Sequence, residues 1–178
     1  MKALAAAVLF AVALPAFGQS QPASTAGAPG CGAANIEFDV KTDNKQHPTA
    51  QPDAGNALVY FLQDDSEFGS RPRPTVRFGI DGAWVGATHS YSYFYVSVDP
   101  GEHHICSSWQ GLVVLVGPAR REAALHFTAE AGRAYYFRAN DILDRESRLP
   151  AVLLRPLDSD EAQLLMTNFA SSTSHPKK

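Results

Sequence analysis

The histidines are the first residues whose type could support chemistry, because imidazole is the commonest metal ligand in proteins. His103 and His104 are adjacent, and His47, His89 and His126 are the further candidates for a ligand set. Adjacent residues of a strand point to opposite faces, so both members of the pair cannot hold one ion. His-x-His spacing, which places two imidazoles on one face, does not occur. We therefore expect ordinary strand or surface histidines, with no metal site and no cofactor.

Acidic clusters are the second candidate, because calcium prefers hard oxygen ligands. One cluster contains Asp64, Asp65 and Glu67, and another lies within residues 158–161. Neither alternates with glycine as a dedicated calcium loop does. We interpret the first as a solvated loop and the second as a helix cap, with cation binding as the alternative for each.

Nucleophilic catalysis finds no support in the sequence. No serine lies in a glycine-flanked elbow, and loop carboxylates without a pocket do not make an acid–base pair. We predict a protein that is not an enzyme and has no catalytic residue. The alternative is a small metal-dependent hydrolase that uses His103 or His104 with distant acids.

Three tyrosines suggest a surface for binding. Tyr91, Tyr93 and Tyr95 share one face of a predicted strand, while Phe94 and Val96 share the other. If the tyrosine face is outward, its flat amphipathic rings suit sugars and extended peptides. The alternative is that the tyrosines lie beneath a loop.

The N-terminus has the pattern of a secretory signal. Lys2 precedes an apolar run over residues 3–14, and small residues follow up to Gly18. The run is too short to span a membrane. Without Lys2, 14 basic and 18 acidic residues give a net charge of 14 − 18 = −4, which does not attract nucleic acid or an anionic membrane. We expect an exported protein, periplasmic or extracellular, with no transmembrane anchor after cleavage.

The two cysteines, Cys31 and Cys106, are expected to form a disulfide, because an even count in an exported chain favours pairing. The bond would attach the N-terminal segment to the domain. Lipid modification of Cys31 is the alternative, but that chemistry needs a cysteine directly after the apolar run. Here Ala28-Pro29-Gly30 precedes it.

The elements that would position these residues are almost all strands. Short alternating or apolar segments recur about every dozen residues, separated by turns. They cover residues 35–41, 56–63, 75–80, 83–87, 93–98, 102–109, 124–129, 133–139 and 151–157. Turns at Asp81-Gly82, 99–101 and 130–132 predict three hairpins. Asp158 predicts the cap of a short helix.

These patterns predict an all-β fold, an antiparallel β-sandwich that is immunoglobulin-like or prealbumin-like, with a short C-terminal helix. The predicted organisation is a signal peptide over residues 1–18, a flexible leader over 19–34, one sandwich domain over 35–170 and a polar tail over 171–178. The apolar stretch 111–117 is compatible with a bulge, an edge strand or an exposed loop.

Turn glycines and aromatic strands also carry a resemblance to a family. They are Ala57-Leu58-Val59-Tyr60-Phe61, Ile80-Asp81-Gly82 with Val85-Gly86, Tyr93-Phe94 before Pro100-Gly101-Glu102-His103, and Gly132 with Tyr135-Tyr136-Phe137. Over about residues 53–157 the chain resembles the bacterial domain of unknown function family 2846. The resemblance implies an exported β-sandwich and names no reaction.

The function expected from the sequence is a non-catalytic binding or interaction module of the cell envelope, whose partner is an envelope protein or a glycan. The alternative is a structural accessory of an envelope assembly, docking through loops around Asp64 and through residues 112–116.

Overall fold

The computed structural model describes residues 30–69, 72–110, 121–143 and 149–178. The predicted signal peptide, the leader up to residue 29 and the apolar stretch 111–117 lie outside these residues.

Ten strands and one helix form the regular structure of the described residues. In chain order they are β1 (Phe38–Asp43), β2 (Ala57–Asp64), β3 (Thr75–Ile80), β4 (Ala83–His89), β5 (Ser92–Val98), β6 (Gly101–Gln110), β7 (Glu122–Ala129), β8 (Ala134–Leu143), β9 (Pro150–Leu157), α1 (Ser159–Met166) and β10 (Ala170–Pro176). A six-stranded sheet, β1-β10-β5-β2-β8-β9, packs against a four-stranded sheet, β4-β3-β6-β7. The predicted β-sandwich is confirmed. The larger sheet is mixed rather than antiparallel, because β2–β8 and β10–β5 are parallel pairs.

The main core lies between the two sheets. Val59 and Phe61 of β2 pack there with Phe78, Ile105 and Phe137 from neighbouring strands. On the opposite face of the six-stranded sheet, a second apolar cluster lies beneath α1 and the loop 44–56; it contains Leu58, Tyr60, Leu62, Tyr93, Met166 and Phe169. Strand β2 is therefore buried on both faces, as its continuous apolar run predicts.

Only one of the three predicted hairpins forms. Asp81 and Gly82 have φ of 50° and 85° and connect β3 to β4, because two consecutive positive φ values suit a two-residue hairpin. The other two predictions are wrong: β5 and β6 belong to different sheets, as do β7 and β8. Their turns reverse the chain without pairing the flanking strands, since the apolar faces pack across the core instead.

The C-terminal boundary also needs correction. Residues 171–178 were expected as a polar tail, but β10 pairs along the whole of β1. The Ser172 hydroxyl donates to the Ala87 carbonyl, and the Ala87 amide donates to Ser174 Oγ, both at 2.9 Å. Two serine side chains of β10 therefore form hydrogen bonds with the backbone of Ala87, at the edge of β4 that has no strand partner. Helix α1 begins after Asp158, whose side chain accepts from the amide of Asp160 at 2.8 Å, which confirms the predicted cap.

The last residues of the predicted leader are fixed to the four-stranded sheet. The expected disulfide joins Cys31 to Cys106, with the two Cα atoms 5.1 Å apart. Buried Arg77 donates to the carbonyls of Ala34 and Ile36. The domain consequently begins at least four residues before the predicted boundary at residue 35, because a disulfide and hydrogen bonds from a buried arginine replace the missing apolar side chains.

Candidate functional site

The direction of the backbone groups in β5 defines the first feature of the site. The amide of Leu58 donates to the Arg133 carbonyl beside β8, so the backbone N–H and C=O groups of even-numbered β2 residues point toward β8. The backbone groups of odd-numbered β2 residues therefore point toward β5. Val59 lies opposite Val96 in the antiparallel β2–β5 pair. Even-numbered residues of β5 therefore bond to β2, and the odd-numbered ones direct their amides and carbonyls to the other side.

Strand β10 occupies only the beginning of that other side. It pairs with β5 at Ser92 and Tyr93, and then turns toward β4. Within the described residues no strand pairs with this side of β5 beyond Tyr93. The backbone groups of Tyr95 and Ser97 consequently face an open edge, which we call the β5 edge.

A groove borders this edge on the outer face of the six-stranded sheet. It has a volume of about 390 Å³. Its lining comes from β5, the start of β10 and the segment after β1: Asp43, Gln46, Pro48, Tyr93, Phe94, Tyr95, Ser171, Ser172 and Thr173. The groove exists because β10 and β5 diverge after two residue pairs. We call it the outer groove.

A cleft borders the same strand on the side between the two sheets. Its volume is about 330 Å³, and apolar walls meet a polar rim. The walls are Ile80, Val85, Val96 and Val98, and the rim is Asn56, Asp81, Ser97, Asp99 and His103. We call it the inter-sheet cleft. Strand β5 thus has one depression on each side of its free edge.

His103 connects two turns at the mouth of the inter-sheet cleft. Its Nδ1 lies 2.6 Å from Asp81 Oδ2 and its Nε2 lies 2.8 Å from the Asp99 carbonyl. Both ring nitrogens face acceptors, so the fully bonded state is the imidazolium. Burial lowers the pKa of His103, but the hydrogen bonds to Asp81 and Asp99 outweigh burial and raise it. No ring nitrogen remains to accept a proton from a substrate, which removes the basis for His103 as a catalytic base.

We expect the His103→Gln variant to lose stability mainly at acidic pH. Because the pKa of His103 is higher in the folded than in the unfolded state, its interactions stabilise the protein fully below the ordinary pKa of 6.5. This stabilisation is lost as pH rises through the raised pKa of the folded state. The loss should be about 1 kcal/mol at pH 5.5 and smaller at pH 8.5, because the ion pair is partly solvated. Urea unfolding at both pH values measures it, with exposed His175→Gln as the control. Equal losses at both pH values would contradict this role.

The predicted tyrosine face is mostly covered. Tyr93 is fully buried, and its hydroxyl donates to the Pro48 carbonyl at 3.2 Å. Burial raises its pKa to about 12. Tyr95 is half-buried and packs on Tyr60, while Tyr91 precedes β5, is exposed and stacks with Arg73. Loop 44–56 thus lies over this face as the alternative interpretation expects, and a ligand role for Tyr91, Tyr93 and Tyr95 stays a prediction.

A buried polar cluster lies between the sheets at the end of β2 and β8. The Gln63 amide donates to Asp65 Oδ1 and Asp141 Oδ2, each at 2.9 Å. Trp109 Nε1 donates to Asp141 Oδ1 at 2.6 Å, and Thr88 donates to Gln63 Oε1 at 2.8 Å. Burial, together with the neighbouring carboxyl group of Asp65, raises the pKa of Asp141 to about 9. Asp141 is therefore protonated at neutral pH.

This cluster is not among the sites predicted from the sequence. The prediction that Asp65 lies in a solvated loop is wrong, because its side chain is fully buried. The available signal was the alternation in β2: Gln63 and Asp65 continue the inward face that begins with Val59 and Phe61. Asp141 continues the inward face of β8 in the same way, after Phe137 and Ala139.

The other histidines are dispersed. His47 Nδ1 lies 2.9 Å from the Phe169 carbonyl, and His89 Nδ1 lies 3.2 Å from Thr75 Oγ1. His104 and His126 lie on the outer face of the four-stranded sheet. Among the described residues, no three His, Cys, Asp or Glu side chains are grouped to hold one metal ion. In the same part of the chain, no helix has the length and apolar character to cross a membrane.

Comparison with known proteins gives one match. A family model described as Protein of unknown function (DUF2846) matches residues 53–148, more than half of the 178 residues. No curated protein and no solved structure matches the chain. The matched segment includes β2 to β8, and therefore the whole of β5.

Proposed function

The chain belongs to the DUF2846 family of proteins of unknown function, and we propose that it is an exported, non-catalytic interaction module that binds an extended polypeptide along the β5 edge. The observation that carries this proposal is the free backbone of Tyr95 and Ser97 between two depressions. The predicted signal peptide and the Cys31–Cys106 disulfide support an exported location.

A peptide fits this edge because it can add a strand to the sheet. Its backbone would bond to Tyr95 and Ser97, and its side chains would alternate between the two faces. One set would enter the inter-sheet cleft beside Val96 and Val98, and the other would enter the outer groove beside Tyr95. A glycan would use the aromatic rings but leave the backbone edge unpaired, so the edge favours an extended envelope protein segment as partner.

The alternatives receive less support from the described residues. Docking through the loop at Asp64 is disfavoured because this side chain is almost fully buried, and residues 112–116 lie outside the described residues. The hydrolase alternative uses His103 or His104: both ring nitrogens of His103 are bonded, and His104 lines neither of the two depressions beside β5.

Ser97→Pro is expected to abolish peptide binding while Ser97→Ala preserves it. Proline removes the outward amide of Ser97, and an edge strand tolerates proline there because this amide is not part of the β2–β5 ladder. Alanine keeps the amide and changes the same exposed side chain. Both variants should unfold within about 1 kcal/mol of the wild type.

The measurement is selection from a random-peptide phage library on the immobilised, oxidised protein, followed by fluorescence-anisotropy titration of a selected peptide. Binding at least tenfold weaker in Ser97→Pro, with unchanged binding in Ser97→Ala, supports the edge. If Ser97→Pro and Ser97→Ala bind the peptide with equal affinity, the peptide does not bind along the β5 edge. Recovery of no peptide, together with a melting-temperature increase from oligosaccharides, would replace this proposal by glycan binding.

A further inference from the structure

A pair of histidines faces solvent on the outer face of the four-stranded sheet. His104 of β6 and His126 of β7 lie directly opposite each other in the antiparallel ladder. Side chains at opposite positions of neighbouring strands have their Cβ atoms about 4.5–5.5 Å apart on the same face. The sequence separates these residues by 22 positions, so only the strand register brings them together.

The two imidazoles are placed as a chelating pair. Their ring centroids lie 6.1 Å apart, with an angle of 51° between the ring planes. An ion that is about 2.0–2.1 Å from one nitrogen of each ring separates the centroids by roughly 5–6.5 Å. The observed spacing falls within this range, so the two strands hold the rings at a separation that one ion can bridge.

Both rings are accessible to an ion. His104 and His126 are exposed, and neither ring forms a hydrogen bond to another described residue. Exposed Glu102 and Thr128 form the next opposite pair on the same face, so a carboxylate lies beside the two imidazoles. His103, by contrast, points to the other face and is bonded to Asp81 and Asp99.

We propose that His104 and His126 form a surface binding site for a divalent transition-metal ion. Imidazole nitrogen selects ions of the nickel, copper and zinc series over calcium and magnesium. Water molecules complete the coordination. The site uses none of the residues of the proposed peptide edge, and it assigns a role to two neighbouring histidines whose rings form no hydrogen bond within the described part of the chain.

Titration calorimetry of the full oxidised protein with Zn²⁺, Ni²⁺ and Cu²⁺ tests this site. We expect one ion per chain, with Cu²⁺ bound most tightly as the Irving–Williams order requires. His104→Gln and His126→Gln should each weaken binding at least tenfold. Glutamine retains a polar side chain of similar length, and these exposed substitutions should leave the melting temperature of the metal-free protein unchanged.

The control and a second measurement make the result decisive. His89→Gln removes another exposed imidazole and should bind each ion as the wild type does. In nuclear magnetic resonance spectra, diamagnetic Zn²⁺ should shift the ring signals of His104 and His126 together at one equivalent. Unchanged affinity in either single variant, or shifts spread over all histidines without a one-to-one endpoint, would overturn the proposal.

Discussion

Replacing Asp141 by alanine is expected to lower the free energy of unfolding by about 3–5 kcal/mol, because it breaks a fully buried polar cluster. The Trp109 indole loses its acceptor at 2.6 Å. Gln63 loses the acceptor Asp141 Oδ2 as well, while Asp65 keeps its hydrogen bond from Gln63 and its 3.4 Å contact to Arg73. Two buried donors, the Trp109 indole and the Gln63 amide, have then each lost an acceptor.

Asp141→Asn is the informative companion, because a carboxamide resembles the protonated acid. A folded pKa of about 9 means that Asp141 is protonated in the folded state and ionised in the unfolded state between about pH 4 and 9. Its contribution to stability is full below pH 4 and declines as pH rises toward 9. Between pH 6 and 8.5, wild-type stability should therefore fall by about 1 kcal/mol per pH unit more than that of Asp141→Asn.

Urea unfolding followed by circular dichroism measures both effects. Asp53→Ala, at an exposed position, is the matched control and should change stability by less than about 0.5 kcal/mol. Parallel pH profiles for the wild type and Asp141→Asn would show that the acid is ionised in the folded protein. A loss below about 1 kcal/mol in Asp141→Ala would show that the cluster contributes little to stability.

Removing the disulfide has the other large expected effect. Cys31 and Cys106 are 75 residues apart, and the entropy of closing such a loop corresponds to about 4 kcal/mol of stability. Replacing both cysteines by alanine should cause a loss of this size. Cys31 is almost fully buried and Cys106 is fully buried, and apolar alanine places no polar group at either site. The residues beyond Cys31 should then exchange their amide hydrogens faster.

Comparison of oxidised wild type, reduced wild type and the double alanine variant by urea unfolding checks this expectation. Reduction of the wild type should reproduce most of the loss, and the reductant should leave the variant unchanged. If reduction costs less than about 1 kcal/mol, the hydrogen bonds from Arg77 and the indole of Trp84 to this segment hold it without the covalent bond.

The sequence predicts the strands better than it predicts their partners. Alternation and turn residues report on local backbone preference, which is why β2 and the β3–β4 hairpin are found correctly. The turns at 99–101 and 130–132 look equally suited to hairpins, yet they connect different sheets. That choice depends on which apolar faces meet across the core, and local preference carries no information about it.

The candidate sites are harder to predict for the same reason. The sequence identifies Tyr95 as a candidate on the predicted tyrosine face, but the open edge beside it results from the divergence of β10, whose residues after 170 are predicted to lie outside the domain. The approach of His104 to His126 depends on the β6–β7 register. Polar residues also mislead: Asp65 resembles a loop residue, but it belongs to a buried cluster in which Gln63 bonds both to Asp65 and to Asp141, which is 78 positions from Gln63.

The position of β10 sets the order in which the sheet is completed as the chain is made. The last strand lies between β1 and β5, so β1 has no partner in its sheet until residues 170–176 have been synthesised. Most contacts in this fold likewise join distant parts of the chain, which slows folding. Strand β1 can therefore join its sheet only after the chain has been made as far as residues 170–176.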